Sequence, residues 1–108
     1  MSTVTTHVLD TALGAPAAGV AVRLESADGA VIASGATNAD GRIGELGPDD
    51  LAPGVYRIWF GTGDYFARDG RKTFYPEVMV TFEVANGGGH YHVPLTLSPF
   101  AYSTYRGS

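Results

Sequence analysis

The chain has 108 residues, no cysteine and a hydrophobic content of 44%, enough for one compact domain that buries about two thirds of its unfolded surface. The lack of cysteine excludes a disulfide framework, cysteine-ligated metal sites and thiol catalysis. Seven basic and eleven acidic residues give a formal net charge of -4. Because no basic run is present that could follow a phosphate backbone, we expect no nucleic-acid partner.

Targeting signals and membrane segments are not evident in the sequence. No window approaches the roughly 20 apolar residues of a membrane helix, and the N-terminus has no cationic segment followed by an apolar stretch. The last four residues are not a peroxisomal signal of the Ser-Lys-Leu type. We therefore expect a single domain over residues 1–108 that contacts no membrane and is cytoplasmic.

The pattern of glycine and proline predicts an all-β domain. Fifteen glycines and six prolines fall mostly between short runs of β-branched and aromatic residues. The predicted strands cover residues 4–10, 20–25, 30–37, a short segment around 43, 54–62, 77–84 and 90–97. Turns are expected at Asp28-Gly29 and at residues 38–41. This spacing of strands is typical of a β-sandwich.

Alternation within the strands predicts which side chains enter the core. Val20, Val22 and Leu24 share one face, as do Val78, Val80, Phe82 and Val84. The last strand divides into an apolar face and a polar face, Tyr91, Val93, Leu95 and Leu97 against His90, His92, Pro94 and Thr96. Because proline has no amide to donate, Pro94 predicts a sheet edge or an amide position directed away from the ladder.

Two further segments carry structural predictions. Residues 64–69 are expected to form one or two helical turns, with Asp64 satisfying free amides at the N-terminus and favouring the helix dipole. Residues 99–108 contain three aromatic side chains, which is unusual for a mobile chain end. We therefore expect the C-terminal segment to be docked on the domain.

All three histidines fall in predicted strands. His90 and His92 lie about 6 to 7 Å apart on one face, and His7 is in the first strand; imidazoles titrate near neutral pH. One interpretation is that all three are ordinary surface histidines without a chemical role. Alternatively, three imidazoles could hold zinc with one position open for water. No carboxylate-rich cluster flanks the pair, so no metal site is expected.

Other motifs narrow the possible chemistry. There is no Gly-x-Ser-x-Gly elbow, so a serine nucleophile is not expected. The glycines at 87–89 join two strands and lack the lysine and the helix of a phosphate-binding loop, which indicates a turn. Arg42 directly follows a predicted turn and offers a planar fork suited to carbonyls, oxyanions or carboxylates.

Four motifs stand out in the sequence: Thr5-Thr6-His7-Val8-Leu9-Asp10 with Gly14-x-Pro16-Ala17, Thr37-Asn38-x-Asp40-Gly41-Arg42, His90-Tyr91-His92-Val93-Pro94-Leu95 with Ser98-Pro99, and the closing Tyr105-Arg106-Gly107-Ser108. Together they resemble the transthyretin-like family, and within it the hydrolases of 5-hydroxyisourate. The closing tetrapeptide is the most discriminating, because it marks the hydrolases and is replaced in hormone-carrying transthyretins.

The resemblance implies a fold, an assembly and a site. The fold would be a transthyretin-like (prealbumin) β-sandwich of two antiparallel sheets with one short helix, assembled as a homotetramer with sites at the dimer-dimer interface. The family's catalytic set maps onto His7, Arg42 and His92. Its substrate-binding set maps onto His7, Arg42, Tyr105 and Ser108.

The resemblance also implies a reaction. Water would open an electron-poor ring amide of 5-hydroxyisourate to give a ureidoimidazoline carboxylate in urate catabolism, assisted by histidine and arginine, with no metal or other cofactor. Either His7 or His92 is the base that takes a proton from the attacking water. The other imidazole would orient that water or protonate the departing nitrogen.

Two other functions compete with hydrolysis. The first is a transthyretin-type carrier that binds a small aromatic ligand without reacting with it. The second is a structural β-sandwich module of the kind appended to secreted peptidases and adhesins, which shares the Gly-x-Pro-x-x-Gly-Val motif found here at residues 14–20. Two imidazoles, a guanidinium and the closing tetrapeptide favour the hydrolase, because a hydrophobic carrier has no need of those groups.

Overall fold

The computed structural model describes residues 3–85 and 89–107. Within them the chain forms nine strands and one short helix. In chain order the elements are β1 (Val4–Asp10), β2 (Ala15–Pro16), β3 (Ala21–Ser26), β4 (Val31–Ala36), β5 (Arg42–Leu46), β6 (Gly54–Phe60), α1 (Thr62–Ala67), β7 (Val78–Val84), β8 (Tyr91–Ser98) and β9 (Ala101–Thr104). Most of the turn predicted at 87–89 lies outside the described residues.

The strands form two sheets that confirm the predicted sandwich. One sheet has the order β4-β3-β6-β7. In the other, β1 is central: β8 pairs along one of its edges with β9 beyond, while β5 and β2 share the opposite edge. Every pair is antiparallel except β1 with β8, which is parallel. That parallel pair was not expected from the sequence.

The core lies between the two sheets and takes one face of each strand. The predicted inward residues Val20, Val22 and Leu24 are at most 1% exposed, as the two-residue period of a strand requires. In β7 the predicted set is buried at both ends of the strand and only partly buried in the middle. No helix in the described part of the chain is long and apolar enough to cross a membrane.

The helix is present but begins earlier than predicted. It covers Thr62–Ala67, its N-cap is Gly61, and no side chain caps it. The expected capping by Asp64 is therefore wrong, although this carboxylate lies in the first turn, where the dipole favours negative charge. Complete burial of Thr62 and Phe66 attaches the helix to the core instead.

A buried ion pair joins the end of β1 to the region after the helix. Asp10 has no exposed side-chain surface, and its Oδ2 accepts hydrogen bonds from Arg71 Nη2 and from the Tyr65 hydroxyl, both at 2.8 Å. The amides of Ala12 and Leu13 donate to Oδ1 at 3.1 Å. Burial acts to raise the pKa of Asp10, but the hydrogen bonds outweigh it and the pKa is lowered. We call Asp10, Tyr65 and Arg71 the Asp10 cluster.

The position of Pro94 corrects one prediction. Strand β8 is not at a sheet edge, because β1 pairs with it on one side and β9 on the other. The β8–β9 pairing begins at Leu95, and the next bridge along β8 joins His92 to Gly107. The ladder is thus interrupted at Pro94, which has no amide to donate; this agrees with the second of the two predicted alternatives.

The C-terminal segment is docked, as predicted, as far as the structure describes it. Residues 101–104 form β9 against β8, and the amide of Gly107 donates to the carbonyl of His92 at 2.8 Å. The side chains of β9 remain exposed. The backbone, and not burial of side chains, therefore holds this segment in place.

Candidate active site

Three of the predicted site residues come together on the outer face of the five-stranded sheet. His7 of β1 is paired with Arg42 of β5, and Thr5, two residues earlier on the same face of β1, is paired with His92 of β8. Laterally paired side chains stand about 4.5 to 5.5 Å apart at Cβ. The sheet therefore collects two imidazoles and one guanidinium from three adjacent strands.

The turn at residues 38–41 positions both Arg42 and His7. The side-chain oxygen of Asn38 accepts the amides of Asp40 at 2.9 Å and of Arg42 at 3.0 Å. Gly41 has φ +75°, and a Cβ there would lie 2.4 Å from a carbonyl of β1, so only glycine allows this approach. The turn is consequently held tightly against β1.

The same turn determines the protonation of His7. His7 Nε2 lies 2.9 Å from the backbone carbonyl oxygen of Asp40. Since a carbonyl oxygen only accepts hydrogen bonds, Nε2 must carry a proton. In the neutral ring the lone pair is then at Nδ1, which is the nitrogen available to a water molecule.

Thr5 contacts the other two imidazoles. Its hydroxyl oxygen lies 2.8 Å from His92 Nδ1 and 2.9 Å from His90 Nε2. His90 directly precedes β8 and is exposed, whereas His92 is half-buried; the prediction that all three histidines lie in strands is therefore wrong for His90. No described residue hydrogen-bonds to His92 Nε2, which leaves that nitrogen free for chemistry.

The surroundings of His92 favour its neutral form. Burial lowers the pKa of the ring below its usual value of 6.5; repulsion by the Arg42 guanidinium, and by His90 and His7 whenever those rings are protonated, lowers it further. A backbone hydrogen bond with Thr5 acts in the opposite direction without reversing the shift. At neutral pH the ring is therefore an uncharged base.

The C-terminal segment approaches His92 closely. A Cβ on Gly107 would lie 2.5 Å from His92 Cδ2, so a larger residue would displace either the ring or the chain end. The Arg106 guanidinium lies over the Tyr91 ring, 4.4 Å from its centroid. Tyr105 is 58% exposed, and Ser108 lies outside the described residues.

A cleft of about 340 Å³ opens between β7 and the C-terminal segment. His92, Tyr105 and Arg106 line one side of it, and residues 80–83 line the other. The volume falls within the range of small-molecule sites. The predicted residues His92 and Tyr105 therefore line this cleft, whereas His7 and Arg42 are not among its described lining residues.

Sequence reasoning missed two groups of this site. Thr5 shares the outward face of β1 with His7, and two-residue alternation was a sufficient signal for it. The Asp40 carbonyl had no such signal, because a backbone oxygen is placed by the turn and not by the residue type. Within residues 3–85 and 89–107, no group of three histidine, aspartate or glutamate side chains is arranged to hold a metal ion.

Fold and site together define a class of protein: a two-sheet β-sandwich of the transthyretin type that carries ionisable side chains on the outer face of one sheet. The chain belongs to the HIUase/Transthyretin family, whose model matches residues 4–107.

Three relatives show the range of this family. A 5-hydroxyisourate hydrolase of Caulobacter vibrioides is 47% identical, with both chains fully covered. The structure of Klebsiella pneumoniae 5-hydroxyisourate hydrolase is 40% identical with a TM-score of 0.91, covering 100% of this chain and 94% of that one. Transthyretin from Sparus aurata is 35% identical with a TM-score of 0.89, covering 99% and 97%. The fold is thus similar to that of hydrolases and of transthyretins alike.

Proposed function

We propose that this protein hydrolyses 5-hydroxyisourate, opening a ring amide to give a ureidoimidazoline carboxylate. The observation that carries the proposal is the pairing of His7 with Arg42 and of Thr5 with His92 on one polar face, together with the lowered pKa of His92. The name of the Caulobacter vibrioides relative supports the choice of substrate.

His92 is the general base in this proposal. Its Nδ1 is occupied by Thr5 at 2.8 Å, so Nε2 takes a proton from the attacking water. Neutrality of the ring near pH 7 keeps the Nε2 lone pair available. His7 binds the same water through Nδ1, because its Nε2 proton is held by the Asp40 carbonyl.

The remaining steps use Arg42 and the returned proton. The water oxygen bonds to the amide carbon, and the carbonyl oxygen becomes an oxyanion whose charge the Arg42 guanidinium offsets. The carbon–nitrogen bond then breaks, the departing nitrogen takes the proton that His92 received, and the new carboxylic acid loses its proton to solvent. Water is the only co-reactant and the imidazoles carry the protons, so the balance needs no cofactor.

The C-terminal residues Tyr105 and Ser108 bind substrate in this proposal. The bridge between Gly107 and His92 supports it, because it places Gly107 beside the proposed base. The exposed ring of Tyr105 is available to stack on or hydrogen-bond to a planar ligand.

We further propose a homotetramer in which two protomers share each site at the dimer-dimer interface. Strands β7 and β9 end their sheets, and open sheet edges are natural pairing surfaces. Exposed aromatic side chains lie near the β9 edge: Phe74 is 72% exposed, Phe100 68% and Tyr102 40%. Sedimentation equilibrium tests the assembly, and a monomer at micromolar concentration would contradict it.

The alternative function is that of a carrier for small aromatic ligands, which the likeness to transthyretins favours. A carrier would bind the oxidised purine and release it unchanged. Ionisable groups on three adjacent strands argue against this function, because desolvating them costs affinity for an apolar ligand.

The decisive experiment generates 5-hydroxyisourate in situ from urate and follows its ultraviolet decay with and without the protein. We expect faster decay in proportion to protein concentration, unchanged by a chelator of divalent metals. His92→Ala, compared as an intact assembly, serves as the matched control. Unaccelerated decay together with ligand binding would favour the carrier, and loss of activity with the chelator would contradict the metal-free mechanism.

A further inference from the structure

A single buried hydroxyl connects two of the three imidazoles. Thr5 is 7% exposed, and its oxygen lies within 2.9 Å of both His90 Nε2 and His92 Nδ1. The backbone fixes this contact, because Thr5 and His92 are paired residues of the parallel strands β1 and β8. The pairing keeps Thr5 beside His92, and the low exposure of Thr5 leaves its hydroxyl little access to solvent.

Counting protons shows that the two rings cannot both accept a hydrogen bond from Thr5. A hydroxyl has one proton to donate and lone pairs to accept. When Thr5 donates to His90 Nε2, His92 Nδ1 must carry a proton and donate to Thr5. In the opposite arrangement Thr5 donates to His92 Nδ1, and the His92 proton moves to Nε2.

Of these two arrangements, only the first leaves His92 able to act as a base. With the proton on Nδ1, the lone pair is on Nε2, the nitrogen that no described residue contacts. When Nε2 accepts a proton, the Nδ1–H to Thr5 bond persists, so the cation forms without rearrangement. The opposite arrangement places a proton on Nε2 and removes the lone pair.

We propose that Thr5 is a positioning residue: its hydroxyl donates to His90 and accepts from His92, which holds His92 in the tautomer with Nδ1 protonated and Nε2 free. This inference rests on the proposed function for its consequence in catalysis, but the tautomer itself is a property of the resting protein. His90 acts as the acceptor that keeps the Thr5 proton away from His92.

The test compares three variants. Thr5→Val keeps the shape of the side chain and removes the hydroxyl, whereas Thr5→Ser keeps the hydroxyl. Thr6→Val is the matched control, since Thr6 is also buried but donates to the Val93 carbonyl at 2.6 Å and contacts no imidazole in the described structure. Thr6→Val controls for the loss of any buried hydroxyl on β1.

We expect Thr5→Val to lower kcat by about 10- to 100-fold with KM within about threefold, because a free ring samples the wrong tautomer. Thr5→Ser restores most of the lost activity, and Thr6→Val keeps the kcat of the unmodified protein. Long-range nitrogen–proton NMR correlations of the histidine rings give a second readout that does not need turnover. They should show His92 protonated at Nδ1 in the unmodified protein and a shift toward Nε2 protonation in Thr5→Val.

Two results would overturn the inference. One is a Thr5→Val kcat within about twofold of the unmodified protein; the other is a resting His92 protonated at Nε2. Failure of the proposed function is distinguishable, because the unmodified protein would then not accelerate 5-hydroxyisourate decay. The NMR tautomer would still decide the role of Thr5 in that case.

Discussion

Strand β1 carries two polar clusters that face opposite sides of its sheet. Near its start, Thr5 and His7 point outward beside His92 and Arg42. We call these four residues the outward cluster. At its end, Asp10 points inward and is fully buried against Arg71. The two clusters are only a few residues apart along β1. However, the first favours the neutral form of its histidine, whereas the second favours the charged form of its aspartate.

The difference lies in whether the neighbouring groups oppose burial or act with it. Asp10 is surrounded by donors and a cation, so its pKa falls and its charged form is stabilised despite burial. The pKa of His92 falls first because of burial and further because of the positive charge of Arg42, and here the neutral form is stabilised. A satisfied charge contributes to stability, whereas an imidazole kept neutral is prepared to take a proton.

The largest expected effect separates catalysis from stability. His92→Ala should lower kcat/KM by about 10² to 10⁴, the usual contribution of a general base. The free energy of unfolding should change by less than about 1 kcal/mol, because the ring is half-buried and unpaired with any carboxylate. Steady-state kinetics and urea unfolding measure the two quantities. A near-normal rate in an assembled His92→Ala protein would show that another group is the base.

Arg42 tests whether the outward cluster needs geometry or charge alone. Arg42→Ala should cost about 10² to 10³ in kcat, as loss of an oxyanion donor does. Arg42→Lys keeps the charge but not the planar fork, so its kcat should lie within about threefold of the alanine variant. Full activity of the lysine variant would mean that simple charge attraction is sufficient.

A substitution in the Asp10 cluster should instead lower stability and leave catalysis unchanged. Asp10→Asn leaves the Arg71 guanidinium without its buried carboxylate and should cost about 3 kcal/mol of stability. The kcat of the folded protein should remain close to normal, since Asp10 points into the core, on the opposite face of β1 from Thr5 and His7. Urea unfolding and kinetics at low temperature test both halves. A variant as stable as the original would show that Asp69 alone satisfies Arg71.

The stability that Asp10 contributes also has a predictable pH dependence. The pKa of Asp10 is lower in the folded chain than its unfolded value of about 3.9. The contribution is therefore complete above that unfolded value and is lost as pH falls through the folded pKa. The stability difference between Asp10→Asn and the unmodified protein should accordingly shrink in acid; a constant difference would contradict the linkage.

The outward cluster was more predictable from the sequence than the Asp10 cluster. The bounds of β1 and the inward set Val20, Val22 and Leu24 follow from two-residue alternation, which is a local signal. The histidine-bearing face of β8 follows from the same alternation. His7 and Arg42 were identified through motifs, and the structure then placed them side by side.

Long-range pairing explains what could not be predicted. The parallel alignment of β1 with β8 joins residues 87 positions apart, such as Thr5 and His92, and no local pattern determines it. The same pairing places Pro94 inside the sheet. Asp10 and Arg71 are 61 positions apart, and neither residue type at its position signals the contact.

The smallest expected effect compares how salt acts on the two clusters. The Debye length falls from about 30 Å at 0.01 M to about 3 Å at 1 M, which screens the exposed guanidinium of Arg42 from His92. The pKa of His92 should then rise toward 6.5 without reaching it, because burial is the larger cause of the shift. Protonated His92 is inactive as a base, so high salt should lower kcat/KM on the acid side of the pH profile and leave it unchanged at alkaline pH. The acid-dependent stability from Asp10 should barely respond, since its ion pair is buried and screened much less. Kinetics and acid unfolding measure the salt sensitivity of the two clusters. Equal sensitivity would show that burial does not protect the Asp10 ion pair from screening.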